Sequence, residues 1–204
     1  MHVYIAWYHK ENSGKKFGFL HSMPKYARPH HTLHLDHLGP FVHGKGNKYI
    51  LIIVDGFSKF TFLKAAPNTT TKCALVTLSE ICTIFGNPKR IITDAGKGFV
   101  FNEFKQYLER KGIRLHTIAV GLPRGNAQAE RVNKTILDAL ETSEASVNGN
   151  EWDSKVATVQ QGNNNTKHLI IQNTPAELLF GFSLKMDGDI HDNDEEREVD
   201  VTAI

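Results

Sequence analysis

The sequence predicts an α/β fold: a five-stranded mixed sheet flanked by helices. Two observations carry that expectation. Residues 32–65 hold three strand-like segments joined by short turns, the pattern of an antiparallel meander. Residues 69–119 then alternate helix-like and strand-like segments, the order in which crossover helices add further strands.

Each element has its own warrant. In Thr32–Leu38, Leu33 and Leu35 point one way while His34 and Asp36 point the other, the period of two of a half-buried strand. After the turn HGKGN, Tyr49–Val54 is an aliphatic run suited to a central strand. A short turn around Gly56 leads to a third strand over Lys59–Ala65. Thr69–Thr71 offer a cap for a helix running to Phe85, where Gly86 and Pro88 stop it. Arg90–Thr93 is a short buried strand with Asp94 at its carboxyl end. Phe101, Phe104 and Leu108 recur at helical spacing, and Gly112 ends that helix. Ile113–Ala119 is the fifth strand, and Gly121–Asn126, with two glycines and a proline, is a loop. Ala127–Glu144 is helical with Val132, Ile136 and Leu140 on one face, and further helices cover Glu151–Gln161 and Pro175–Phe180.

At 204 residues and 40% hydrophobic content, the chain reads as one domain with extensions: an arm over 1–30, a core over 31–183 and an acidic tail over 184–204. The longest aliphatic run, Ile50–Val54, is far short of a membrane span, and the start MHVYIAWYHK lacks the apolar stretch of a secretory signal. Cys73 and Cys82 fall in one predicted helix, about 13 Å apart in rise, beyond disulfide reach. They read as reduced thiols. The net charge of +2 conceals a division. Residues 187–204 hold eight acids and one arginine, whereas the preceding 186 residues carry 23 basic and 14 acidic groups. A basic body suits a polyanion partner, and the tail has the composition of a disordered segment.

Three carboxylates carry the chemistry. Asp36 lies in HTLHLDHLGPF, Asp94 in RIITDAGKGF and Glu130 in LPRGNAQAERVNKTI, with 35 residues between the last two. Two strand ends and a helix start can converge on paired divalent ions, which clamp the attacking and leaving oxygens of a phosphodiester. Hard oxygen donors of this kind suit Mg²⁺. Simpler readings stand beside this one. Glu130 sits about 120° from the centre of its helix's apolar face, and with Lys134 one turn on it could form a surface ion pair. Asp94 could simply open a turn. Asp36 is harder to dismiss, because aspartate is depleted in strands. Asp55, in VDGFSKF, reads as a turn cap. His31, His34 and His37 are spaced by three, so on a strand they do not share a face, and no cysteine lies nearby to make a zinc site.

The flanking strings resemble the catalytic core of retroviral and LTR-retrotransposon integrases, most closely those of Ty3/gypsy-like and Bel/Pao-like elements. The resemblance runs from about Lys15 to Phe182 through SGKKFGFLHSMPK, HLDHLGPF, YILIIVDGFSKF, FGNPKRIITDAGKGF, PRGNAQAERVNKTI and NNNTKHLIIQNTPAELLFG, in that order. It implies a ribonuclease H-like fold in which the first and fourth strands lie side by side and Asp36 meets Asp94. It implies that Asp36, Asp94 and Glu130 are catalytic and hold two Mg²⁺ or Mn²⁺ ions. It also implies DNA as partner, both element ends and target duplex, with Lys134 on a phosphate. Lys97, Arg124, Asn126, Gln128 and Arg131 are further candidate DNA contacts around the acids. A homo-oligomer working in the nucleus is the expected setting. The chain departs from the family pattern in DAGKGF, at Ala95, Lys97 and Gly98, and in its loop, at Gly125 and Ala127. The amino-terminal zinc domain and the basic carboxyl-terminal module of integrases are not recognisable in it. A decayed or host-recruited descendant that binds nucleic acid or protein without turnover is therefore the rival expectation. A simple nuclease that nicks without joining is a third.

Overall fold

The structure is a computed structural model that describes residues 27–42, 45–118, 127–142, 152–168 and 171–184, with the backbone alone at 97 and 127–130. The predicted arm and acidic tail therefore lie largely outside the described residues.

Five strands form one sheet: β1 (Thr32–Leu38), β2 (Tyr49–Asp55), β3 (Thr61–Ala66), β4 (Arg90–Thr93) and β5 (Arg114–Thr117), in the order β3-β2-β1-β4-β5. The pairs β1–β2 and β2–β3 are antiparallel, whereas β1–β4 and β4–β5 are parallel. The first three strands are thus the meander read from the sequence. The helix α1 (Thr71–Phe85) carries the chain across to β4, and the short α2 (Lys97–Val100) with α3 (Asn102–Arg110) carries it to β5. Three more helices follow: α4 (Ala127–Thr142), α5 (Trp152–Asn165) and α6 (Pro175–Phe180).

Alternation along the strands builds a core on each face. Leu33, Leu35, Leu51, Ile53 and Ile91 pack against Ala74, Leu78 and Ile81 of α1, Phe99 of α2, and Phe104 and Leu108 of α3. On the other face Ile50, Ile52, Val54 and Leu63 meet Ile136 and Leu140 of α4 and Val156 and Val159 of α5. The apolar face predicted for α4 is the one it buries, with Val132 packed at its edge. Burying a large aliphatic side chain is worth about 1.5–3 kcal/mol, so these two layers hold the sheet between them.

Several boundaries differ from the expectation for identifiable reasons. Strand β3 starts at Thr61, because Lys59 takes a left-handed φ of 67° in the turn. Helix α5 runs on to Asn165, past the expected Gln161, because its polar side chains are used against the edge of the sheet. Asn164, 2% exposed, accepts from Thr61 N at 2.8 Å and donates to Thr61 O at 2.8 Å, while Gln160 accepts from Leu63 N at 2.6 Å. These bonds occupy backbone groups that an edge strand would otherwise leave open. Thr70 holds the cap position of α1, but its hydroxyl donates to Asn68 Oδ1 at 2.6 Å and makes no cap bond. The four-residue α2 has no counterpart in the sequence reading. After β1 the chain turns through Gly39, whose φ of 124° and approach to Lys48 O leave no room for a Cβ.

Candidate active site at the carboxyl ends of β1 and β4

Register brings the two aspartates together. Leu35 pairs with Thr93 across the parallel β1–β4 ladder, so Asp36 and Asp94, each one residue further on, are neighbours at about the 4.8 Å spacing of adjacent strands. Both are half-buried. Asp36 Oδ1 accepts from His37 N at 2.8 Å, and its Oδ2 accepts from Asn133 Nδ2 of α4 at 2.8 Å. Asp94 Oδ1 accepts from Gly96 N at 2.9 Å, which closes a tight turn and aims the carboxylate.

Helix α4 packs on β1 and β2, with Asn133 as its contact to Asp36. Glu130 lies on the same helix one turn earlier, about 60° round the axis from Asn133. Its backbone is therefore on the flank that leads to the aspartates, while its side chain lies outside the described atoms, as does that of Gln128. Arg131 and Lys134 are exposed on α4. Lys97 opens α2 just after Asp94, with its side chain not described. Arg124 and Asn126 lie outside the described residues. Among the described residues no three His, Cys, Asp or Glu side chains converge. The described part of the site is a carboxylate pair with an amide leaning on it.

Two features of this site escaped the sequence reading. The first is Asn133, visible in the sequence only as a polar residue three positions after Glu130. Its Oδ1 is buried without a hydrogen-bond partner among the described residues. An orphaned acceptor beside a carboxylate calls for a donor such as a water held by a cation. The donor set, carboxylate and amide oxygens, fits a hard divalent ion.

The second is a lock on the segment after Asp94. The His37 ring stacks on Phe99, with centroids 4.7 Å apart at 21°. Burial pushes the His37 imidazole down to about 4, against the pull of the Asp94 carboxylate, so it is neutral near neutral pH. Gly98 lies between this ring and α1. A Cβ there would collide with Thr69 O, and Thr71 Oγ1 donates to Gly98 O at 3.0 Å. The glycine at this departure from the family string is thus required by packing. The other histidines of the run go elsewhere, His34 beside Gly56 and His31 to a hydrogen bond with Thr32 Oγ1 at 3.1 Å.

Asp55 is a separate case. It pairs with Leu33, whereas Asp36 pairs with Ile52, so three residues of strand, about 10 Å, hold Asp55 away from Asp36. It is 1% exposed, and Oδ2 accepts from Ser58 N at 2.8 Å and Ser58 Oγ at 2.6 Å, while Oδ1 accepts from His30 N at 3.0 Å. It caps the β2–β3 turn, as its string suggested.

Comparison with known proteins agrees with this architecture. Residues 27–123 match the family model described as the integrase core domain, a span that contains Asp36 and Asp94 and stops short of Glu130. The chain is 28% identical over 176 residues to the Transposon Tf2-3 and Tf2-4 polyproteins of Schizosaccharomyces pombe, an alignment covering 85% of this chain and 13% of each relative. The chain thus spans about one eighth of the length of these relatives. Its fold matches a chain of the simian T-cell lymphotropic virus intasome in complex with PP2A regulatory subunit B56 gamma, with a TM-score of 0.70 at 20% identity, covering 86% of this chain and 63% of that one. No helix among the described residues is long and apolar enough to cross a membrane. Over residues 27–123 the chain matches the integrase core domain, on a ribonuclease H-like fold, and it is similar in sequence to the Tf2 transposon polyproteins.

Proposed function

We propose that the chain is the catalytic core of a DNA integrase, a metal-dependent polynucleotidyl transferase that trims a DNA 3′ end and joins it to a target strand. The observation that carries this reading is the adjacency of Asp36 and Asp94 at the ends of two parallel strands, with α4 leaning on Asp36 through Asn133. Asp36, Asp94 and Glu130 are the proposed ligands of two Mg²⁺ or Mn²⁺ ions, and residues 31–183 the proposed catalytic unit. When bound, such ions lower the pKa of an attacking hydroxyl or water and offset charge on the leaving oxygen.

The chain's own groups do the positioning. Asn133 and the His37 amide hold the Asp36 carboxylate, and the Gly96 amide holds that of Asp94. Lys97, Arg124, Asn126, Gln128, Arg131 and Lys134 are proposed to seat DNA phosphates around the acids. In trimming, water attacks phosphorus and the P–O3′ bond breaks, leaving a free 3′-hydroxyl. In joining, that hydroxyl attacks a target phosphodiester and the target's own 3′ oxygen leaves with the proton. One phosphodiester is made for each one broken, so no energy-carrying cosubstrate is needed. Donor end and target duplex must be held together, which fits a homo-oligomer acting on nuclear DNA.

End-joining on short duplexes with Mn²⁺ tests the assignment. Asp94→Asn should abolish it, and unchanged joining refutes the proposed site. Calorimetric titration of Mn²⁺ separates the enzyme from a non-catalytic, integrase-derived binding domain, which takes up no metal. A product gel separates joining from simple nicking.

A further inference from the structure

The parallel strands have a second charged end. The amino-terminal ends of β1, β4 and β5 meet at the pole opposite Asp36 and Asp94. There His31 O accepts from the amides of Lys89 and Arg90, both at 3.1 Å, and Lys89 O accepts from Arg114 N at 3.1 Å. Asn87 Nδ2 donates to Lys111 O at 3.1 Å, which brings in the end of α3. His31 feels the result: its pKa is lowered by burial and by the nearby charges of Arg90, Arg28 and Lys89, with Asp55 opposing. Four separate segments thus deliver Arg28, Lys89, Arg90, Arg110, Lys111 and Arg114 to one end of the sheet. All but Arg90 are exposed. Among the described residues those five exposed cations make no ion pair. The buried acid of this pole, Asp55, has both oxygens occupied by Ser58 and His30.

This concentration has a cost. Arg90 and Arg114 stand directly opposite each other in the β4–β5 register. Like charges across a ladder destabilise it, and an anion laid over them reverses the sign. Two ordinary explanations cover part of the group. Arg110 and Lys111 complement the α3 carboxyl terminus, and charges on the edge strand β5 discourage strand pairing. Neither accounts for Arg28 or Lys89, which belong to neither element.

We propose that this pole is a second phosphodiester-binding face, which grips the backbone of a duplex nucleic acid away from the proposed chemistry. Arg90 and Asp94 are four residues apart on one extended segment, about 13 Å, too far to serve one phosphate. The three strand ends span about 10 Å, and a duplex offers a phosphate every 3.4 Å or so on each strand, so about three phosphates meet this width. Binding of single strands would need open aromatic platforms. At this pole the Tyr107 ring lies under Lys111, with Nζ 6.0 Å from its centroid, and Phe85 is covered by His30. Backbone contact to a duplex is what remains. The face does not depend on the metal reading.

The test is binding of the full chain to a random-sequence duplex of about 20 base pairs, followed by anisotropy in EDTA over a salt series. The triple variant Lys89→Ala, Lys111→Ala, Arg114→Ala should lose about tenfold or more in affinity, and its salt slope should fall by about two to three. Lys72→Ala, a cation exposed elsewhere on α1, should bind as the parent does. The charge-preserving pair Lys89→Arg, Arg114→Lys should keep the affinity, which guards against a fold defect in the triple variant. Parental affinity and slope in a folded triple variant overturn the proposal, as does a single strand of equal length binding as tightly as the duplex. Because no divalent ion is present, loss of joining in Asp94→Asn tests the proposed chemistry and leaves this result untouched.

Discussion

Asp55 ends one strand, Asp94 follows another, and both open a tight turn, yet they sit at opposite poles of the sheet and in different company. Asp55 is sealed in, and its oxygens take three hydrogen bonds from Ser58 and His30. Asp94 is half-buried and, among the described residues, takes one, from the Gly96 amide. Its neighbour Asp36 is steadied from another helix by Asn133. A carboxylate whose acceptor sites are filled by the fold serves stability. One that is aimed but left with acceptor capacity can serve chemistry. What distinguishes them is the number and origin of their donors, and the surface around each pole follows suit: cations crowd the Asp55 end, and acids face each other at the Asp94 end.

The sharpest way to break this contrast is to mutate both acids. Asp94→Asn should lower end-joining by about a thousandfold or more, the effect of losing several kcal/mol of transition-state stabilisation, with the thermal midpoint little changed. Asp55→Ala should do the reverse, costing about 2–4 kcal/mol in urea denaturation by stranding the Ser58 and His30 donors. Joining per folded molecule should survive. If the two phenotypes are exchanged, the assignment of the poles is wrong.

Smaller effects sharpen the picture. Gly98→Ala forces a Cβ onto Thr69 O and into the His37–Phe99 stack. It should cost about 1–3 kcal/mol of stability, read from the urea midpoint, and should lower joining as well, because the strained segment begins at Asp94. Asn133→Ala removes the donor to Asp36 and should weaken Mn²⁺ binding about tenfold by calorimetry, with a small change in stability. Thr174→Ala is the control on a helix that carries neither acid. Thr174 and Glu177 form a capping box at the start of α6, and losing the threonine should cost about 1 kcal/mol with joining intact. Glu177's carboxyl is held below its usual range, first by the Thr174 amide and then by Ser183. That support is present above the ordinary glutamate pKa and fades as pH falls through the lowered one; the residue-174 amide and Ser183 both remain in Thr174→Ala, so parent and variant should lose it alike in acid.

Much of this was legible in the chain. The alternation in Thr32–Leu38, the aliphatic run after Tyr49 and the 132/136/140 stripe named the layers correctly, because burial on one face imposes a period. The order of segments, with the family resemblance, put Asp36 beside Asp94. Less legible was anything held by long-range polar bonds. Helix α5 overran its expected end because Asn164 and Gln160 answer backbone groups of β3 about a hundred residues away. The four residues of α2 carry no periodicity to read, and they are fixed by Thr71, Thr69 and His37. Asn133 looked like any polar helical residue until α4 was laid across β1.

Local pattern, by itself, determined which segments are strands or helices, which face of each is apolar, and which acids end strands. Those properties depend on neighbours within a few positions, where sterics and hydrophobic spacing act. Only the tertiary structure decided which acid is consumed as a turn cap, which two stand together, and that cations from four segments share one pole. Hydrogen bonds and charges act through space, so the role of a carboxylate is set by whatever the fold brings within a few ångströms of it.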